Sequence, residues 1–287
     1  MAFQLASDRD PRVSQLGLDA LAKVEDPRVM PVMVERLQNG DAVVRQAAAS
    51  WLKVSGIRDP RALRKSMLET LGGGDDDGVR RSAAEVLFSV GDPKENLLAV
   101  LDHARGLVGW LRTRILETLK SLGDVALRPA IELLAHPTEE VRTAALLLAE
   151  EMRDPRVVMP VVALLSDKDW WMRISACDTL GRLGDERAVP GLVAALEDGD
   201  TRWAAIDALA QIGSQLALRP LVGLLRDPRV EVRLEVLRAL LRYDLVGFQT
   251  ERDLRNFIQC VEAMAGEEVV VEEGRVRLAR TGRSVRV

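Results

Sequence analysis

Only 3% of this 287-residue chain is aromatic, and it holds two cysteines and two histidines. Cys177 and Cys260 are far apart, which excludes a disulfide framework and a metal-binding thiol pair, and points to a reducing compartment. His103 and His136 lie in separate segments, and no Ser-His-Asp, Cys-His or Cys-x-x-Cys arrangement accompanies them. No glycine-rich phosphate loop is present, because GLVG at 106–109 lacks the following Lys and a preceding strand. The longest apolar run, VVMPVVALL at 157–165, carries a proline and is too short to span a bilayer. MAFQLASDRD at the start lacks a charged segment leading into an apolar run, so no signal peptide is expected. A formal charge of -4, with only six lysines, argues against general binding to nucleic acid or membrane surfaces. The expectation is a cytoplasmic protein with no cofactor, no metal, no membrane insertion and no nucleic-acid partner.

What the chain has is repetition. The pattern hydrophobic-Arg-x-x-Ala recurs as VVRQAA at 43, GVRRSA at 78, EVRTAA at 140 and WMRISA at 171, with EVRLEV at 231 a looser copy. The positions so marked are Arg45, Arg80, Arg112, Arg142, Arg173, Arg202 and Arg233, with Ser14 in the first copy; the intervals run from 29 to 35 residues. Apolar residues follow each Arg by three, four, seven and ten positions, a helical stripe: Ala176, Cys177, Leu180 and Leu183 in the sixth copy. Gly56, Gly91, Gly123, Gly184 and Gly213 stand where such a helix ends. A preceding helix carries a proline in its first turn at Pro31, Pro129, Pro160, Pro190 or Pro220. Each copy is therefore a pair of helices.

This pattern resembles the HEAT repeat family, in the short bacterial form also seen in phycobilin lyase subunits. An Asp four residues before the Arg, at Asp10, Asp41, Asp76, Asp169 and Asp198, matches too. The resemblance implies that these Asp and Arg residues are structural, forming a ladder between neighbouring repeats. It also implies an all-α, right-handed α-solenoid of about eight helix pairs, because a lone pair cannot bury its stripe. The solenoid is expected over residues 1–244, with a capping helix at 245–266 and a tail at 267–287. That tail alternates like strands around a turn near Glu273–Gly274 and is locally basic, so a short β-hairpin or a disordered end is expected.

LGGGDDDGVRR at 71–81 interrupts the period. Its acidic cluster lacks the alternating ligands and terminal Glu of a calcium loop, so a turn is expected. Within the HEAT class, the iron-dependent deoxyhypusine hydroxylase uses His-Glu pairs, whereas here Ala104 and Pro137 follow the histidines. A HEAT-like alkylpurine DNA glycosylase is an alternative that the tryptophans permit and the charge disfavours. A bilin lyase-like or chaperone-like protein is another.

The repeat phase also yields an outward face on each second helix, at positions two before and two, five and nine after the Arg. This face carries Trp110, Arg114 and Glu117 in the fourth copy, Leu147 and Glu151 in the fifth, and Trp171, Asp178 and Arg182 in the sixth. Asp207 follows in the seventh, with Trp203 at its flank. Apolar anchors ringed by charge have the composition of a protein-binding surface, expected to be one groove across adjacent repeats. Trp170 points to the helix side, where folding over the adjoining turn is expected, and Trp51 is expected in the core. The function expected from these residues is a non-catalytic scaffold that binds another protein.

Overall fold

The computed structural model describes residues 1–55, 59–73, 76–107, 109–240, 255, 257–259 and 262, and the strand backbones 269–272, 275–278 and 284–286. Sixteen α-helices lie among the described residues. The first ten are α1 (Ala2–Ala6), α2 (Pro11–Leu21), α3 (Val29–Leu37), α4 (Ala42–Ser55), α5 (Pro60–Gly72), α6 (Asp77–Phe88), α7 (Pro93–Arg105), α8 (Gly109–Ser121), α9 (Asp124–Leu133) and α10 (Glu139–Met152). The rest are α11 (Val158–Ala163), α12 (Trp170–Leu183), α13 (Val189–Ala195), α14 (Arg202–Ile212), α15 (Leu218–Leu224) and α16 (Val230–Leu240). They fall into two compact units, Met1–Met152 and Arg153–Val287.

Within the first unit α2, α4, α6, α8 and α10 pack side by side, and α5, α7 and α9 do the same. In the second unit α12 packs along α14, and α14 along α16. The even-numbered helices bury the stripe that the repeat phase marks: Ala48, Ala49 and Leu52; Ala83, Ala84 and Leu87; Ala145, Leu146 and Ala149; Ala176, Cys177 and Leu180; Ala205, Ile206 and Leu209; Val236, Leu237 and Leu240. Small residues dominate the positions three and four after the Arg, which lets neighbouring helices approach closely. Each stack is thus an all-α solenoid of helix pairs.

Polar residues at fixed positions set where each second helix begins. The carboxylates of Asp10, Asp41, Asp76 and Asp169 accept from backbone N–H groups of the first turn, as Asp169 does from Trp171 and Met172 at 2.7 and 3.1 Å. Such a cap stabilises a helix by about 1 kcal/mol. The repeated Arg then reaches back to carbonyls of the turn that joins the two helices of its repeat. Arg142 Nη1 donates to His136 and Pro137 at 2.9 and 3.1 Å, Arg173 to Asp167 and Lys168, and Arg233 to Asp227 and Pro228. Arg45 and Arg202 make the same clamp. In the first copy Ser14 Oγ does the equivalent, donating to the Ala6 carbonyl at 2.8 Å.

The resemblance implied a ladder between repeats, and the structure shows such a rung, from Arg173 to Asp198, beside clamps within single repeats. The clamp works inside one repeat, because the turn carbonyls lie only five or six residues before the side chain that reaches them. Arg173 also reaches the next repeat, meeting Asp198 at 2.9 Å and Asp200 at 3.2 Å. Other pairs supply the links between copies, at a separation close to the repeat length: Gln38–Thr70, Lys53–Glu85, Arg64–Asn96 and Lys120–Glu151.

The sequence of Asp, a residue and Arg forms a second recurring device, before the first helices α3, α11 and α13 and before the second helix α16. Asp26, Asp154, Asp185 and Asp227 each accept from the backbone and the guanidinium of the Arg two residues on. These paired bonds hold the Asp154 carboxyl at about 2, with the side-chain bond from Arg156 the larger cause. They shift Asp26, Asp185 and Asp227 in the same direction.

In the acidic turn at 71–81, Asp76 caps α6 by accepting from Val79 N and Asp77 pairs with Arg80; Gly74 and Asp75 lie outside the described residues. The expected capping helix at 245–266 lies largely outside them as well. Of its residues, Arg255, 257–259 and Glu262 are helical, and Phe257 is buried. The tail is neither a lone hairpin nor unstructured, since β1 (Val269–Glu272), β2 (Arg275–Leu278) and β3 (Ser284–Arg286) form an antiparallel sheet in the order β1-β2-β3. Val271 lies opposite Val276, and Val276 opposite Val285.

Candidate functional site

The clamped Asp and Arg fix the rotation of each second helix, so residues half a turn from the buried stripe face solvent. In the first unit Trp110 opens α8 and is 58% exposed. Arg114 follows one turn later, with Nη1 3.3 Å from Glu117 and 3.7 Å from Asp77. On α10, Leu147 is 50% exposed, and Glu151 meets Lys120 at 3.2 Å.

The second unit presents a denser set. Trp170 and Trp171, in the first turn of α12, are 53% and 54% exposed, and their rings meet edge to face with centroids 5.7 Å apart. Trp203, in the first turn of α14, is 42% exposed. The Arg173 bonds to Asp198 and Asp200 tie the head of α12 to the turn before α14, which brings these first turns to one end of the pair. Further along, Gly181 permits a close crossing: a Cβ there would stand 3.0 Å from the Ala208 backbone and from the Gln211 amide. Half-buried Asp178, exposed Arg182 and half-buried Asp207 lie along the two helices, with Asp207 accepting from Gln211 at 2.6 Å.

Trp110, Leu147, Trp171 and Trp203 are therefore exposed, as the repeat phase places them. The ten expected residues nevertheless divide between the units. Trp110, Arg114, Glu117, Leu147 and Glu151 belong to the first, and Trp171, Asp178, Arg182, Trp203 and Asp207 to the second. The structure builds two outward sets, one in each unit. Two expectations fail. Trp170 does not bury over its turn, because the edge of Trp171 meets it instead. Trp51 is only half-buried and lines a groove between α2 and α4 with Leu18, Val43, Ser50 and Val54. Six residues after its Arg, it sits about 100° from the stripe centre, at the margin of the core. Sequence reasoning also missed Val230, half exposed at the head of α16, although it shares the repeat position of Trp170.

Cys177 lies in the buried stripe of α12, and burial, with the nearby Asp178 and Asp198 charges, pushes its thiol up to about 12. A thiol so placed stays protonated at neutral pH and is no nucleophile. Among the described residues no helix is long and apolar enough to cross a membrane.

Comparison with known proteins adds a family. The profile for HEAT repeats matches residues 127–201 and 192–269. The bilin biosynthesis protein PecE of Mastigocladus laminosus is 35% identical over 104 residues, covering 35% of this chain and 36% of that protein. The phycocyanobilin lyase subunit alpha of Picosynechococcus sp. (strain ATCC 27264 / PCC 7002 / PR-6) is 28% identical over 126 residues, covering 39% and 44% respectively. The chain thus matches well under half the length of these curated relatives. Among solved structures, the complex of CpcE and CpcF of phycocyanin lyase from Nostoc sp. PCC7120 aligns with a TM-score of 0.31 at 17% identity, over 84% of this chain and 97% of that one.

The expectation of a scaffold outside any chemistry is overturned by the two curated relatives, which are named for bilin biosynthesis and for a lyase. The chain is a HEAT-repeat protein similar to phycobilin lyase subunits.

Proposed function

We propose that this chain serves a bilin lyase-type reaction, holding an acceptor protein against the outward faces of its second helices while pigment is joined to or released from that acceptor. The observation that carries the proposal is the set of exposed tryptophans on those faces, in a chain similar to bilin lyase subunits. Leaving half of one Trp in water forgoes about 2–3 kcal/mol of burial, a cost that a binding partner recovers. Trp110, Arg114, Glu117, Leu147 and Glu151 form one contact set, and Trp171, Asp178, Arg182, Trp203 and Asp207 the other.

The division of labour follows from the thiol. Cys177 is buried and protonated and so does not carry pigment itself; in this reading the pigment-bearing group belongs to the acceptor, and this chain positions it. Proximity of that kind supplies rate without a catalytic triad. The test is to mix the purified chain with phycocyanobilin and an apo-phycobiliprotein, then look for pigment on the acceptor after denaturing electrophoresis. Pigment that appears faster with the chain than without it supports the proposal. An unchanged rate, both with the chain alone and with a second lyase subunit added, overturns it.

A further inference from the structure

We infer that the cleft between α2 and α4, in the first unit, is a docking groove for an uncharged, proline-rich segment of a partner protein in the polyproline II conformation. The cleft lies outside both contact sets named above, so the inference does not depend on the lyase-type reading.

α2 and α4 pack side by side and leave a cleft of about 530 Å³, within the size range of ligand sites. Trp51 sets its character. Six residues after the repeated Arg, α6, α8, α10, α12, α14 and α16 place Val86, Thr118, Leu148, Thr179, Ala208 and Ala239, all buried. At the same position α4 carries an indole, which stays half-buried and lines the cleft. Val43 and Val54, 49% and 72% exposed, extend the apolar wall, while Ala22 and Ala47 leave room between the helices.

The polar groups of the cleft are mostly neutral. Gln15 and Gln46 hold one repeat position on neighbouring helices, each following the marker residue, Ser14 or Arg45. Among the described residues, neither side-chain amide nor the Trp51 indole N–H has a hydrogen-bond partner. Packed helices stand about 8–10 Å apart, and a polyproline II chain repeats every three residues, about 9 Å. The two amides can therefore reach carbonyls on the same side of successive turns. A proline-rich chain presents carbonyls with few N–H groups, which suits a wall of amide and indole donors. Proline rings pack on aromatic-lined grooves, a place Trp51 fills. Among the described residues Asp19 is the one charge in the lining, and exposed Arg12 and Lys23 stand on the same helix. On α4, Arg45 is clamped to the Asn39 and Gly40 carbonyls, and Lys53 pairs with Glu85. Sparse charges of both signs select for neither a cationic nor an anionic segment, so the fit is to an uncharged one.

The test uses the full chain and an end-blocked peptide of prolines with interspersed leucines, carrying an uncharged fluorophore and followed by fluorescence anisotropy. The same peptide with serine in place of each proline lacks the preformed turn and is the comparison. The proline peptide is expected to bind, with an affinity nearly independent of salt. Gln15→Ala with Gln46→Ala is expected to weaken binding at least tenfold, as is Trp51→Ala. Trp171→Ala with Trp203→Ala, in the other unit, should leave it unchanged. No binding of the proline peptide at millimolar concentration overturns the inference, as does equal binding of the serine peptide. An affinity unmoved by the glutamine double variant, or one that collapses as salt is raised, overturns it too. Urea unfolding of each variant separates loss of fold from loss of binding, and the glutamine pair carries the test if Trp51→Ala unfolds. Pigment transfer is a separate readout, and its failure removes the lyase-type reading while leaving the groove.

Discussion

At the scale of single residues, one arginine per repeat does structural work that its charge alone does not explain. Arg142 is buried, and its Nη1 satisfies the carbonyls of both His136 and Pro137. Removing the side chain leaves two part-buried turn carbonyls without this charged donor, at a cost on the order of 1–3 kcal/mol. Arg142→Ala should therefore lower stability by about 2–3 kcal/mol in urea unfolding, and Arg142→Lys should recover only part, since an ammonium lacks the planar fork. A loss under about 0.5 kcal/mol would show the clamp to be incidental. The exposed tryptophans should behave in the opposite way. Trp171→Ala removes a side chain that is more than half in water, so its effect on unfolding should stay below about 1 kcal/mol. The periodicity of the arginine was legible in the sequence and its target was not. Only the fold shows that the reach is to the turn carbonyls of the same copy.

At the scale of elements, several helices begin on the same Asp-x-Arg turn, and this gives the molecule an acid-sensitive feature. In the unfolded chain an Asp titrates near its ordinary value of about 3.9. In the fold Asp154 titrates at about 2, and Asp26, Asp185 and Asp227 also lie low. Each folded value is depressed, so the unfolded state takes up protons first as the pH falls. The contribution is complete above about pH 4 and is lost progressively towards pH 2. The thermal midpoint should fall across that window, and Asp154→Asn should make the decline shallower. An identical pH profile in the variant would remove these turns from the explanation. The second helices were the most legible elements, because a stripe at three, four and seven after a marker states both the helix and its rotation. Trp51 escaped that reading by lying at the stripe's margin, and Trp170 by finding a partner in Trp171. The tail's third strand gave no signal beyond alternation, since pairing across strands is non-local.

At the scale of the whole molecule, stacking copies of one helix pair produces the fold, and function rests on where copies depart from one another. The repeat was enough to place the chain among HEAT proteins, because each copy restates the same packing constraint. Its short bacterial form also pointed to a resemblance to phycobilin lyase subunits, without raising a lyase-like role above a scaffold. No side chain in the sequence marks a pigment, and likeness to named relatives supplies that link. In the proposed function the exposed tryptophans of the second unit serve a reaction rather than the fold. The rate of covalent pigment attachment to an apo-phycobiliprotein, compared between wild type and the Trp171→Ala, Trp203→Ala variant at matched urea midpoints, tests it most directly. The account predicts at least a tenfold slower rate in the variant with its midpoint nearly unchanged, and an equal rate in a fully folded variant would contradict it.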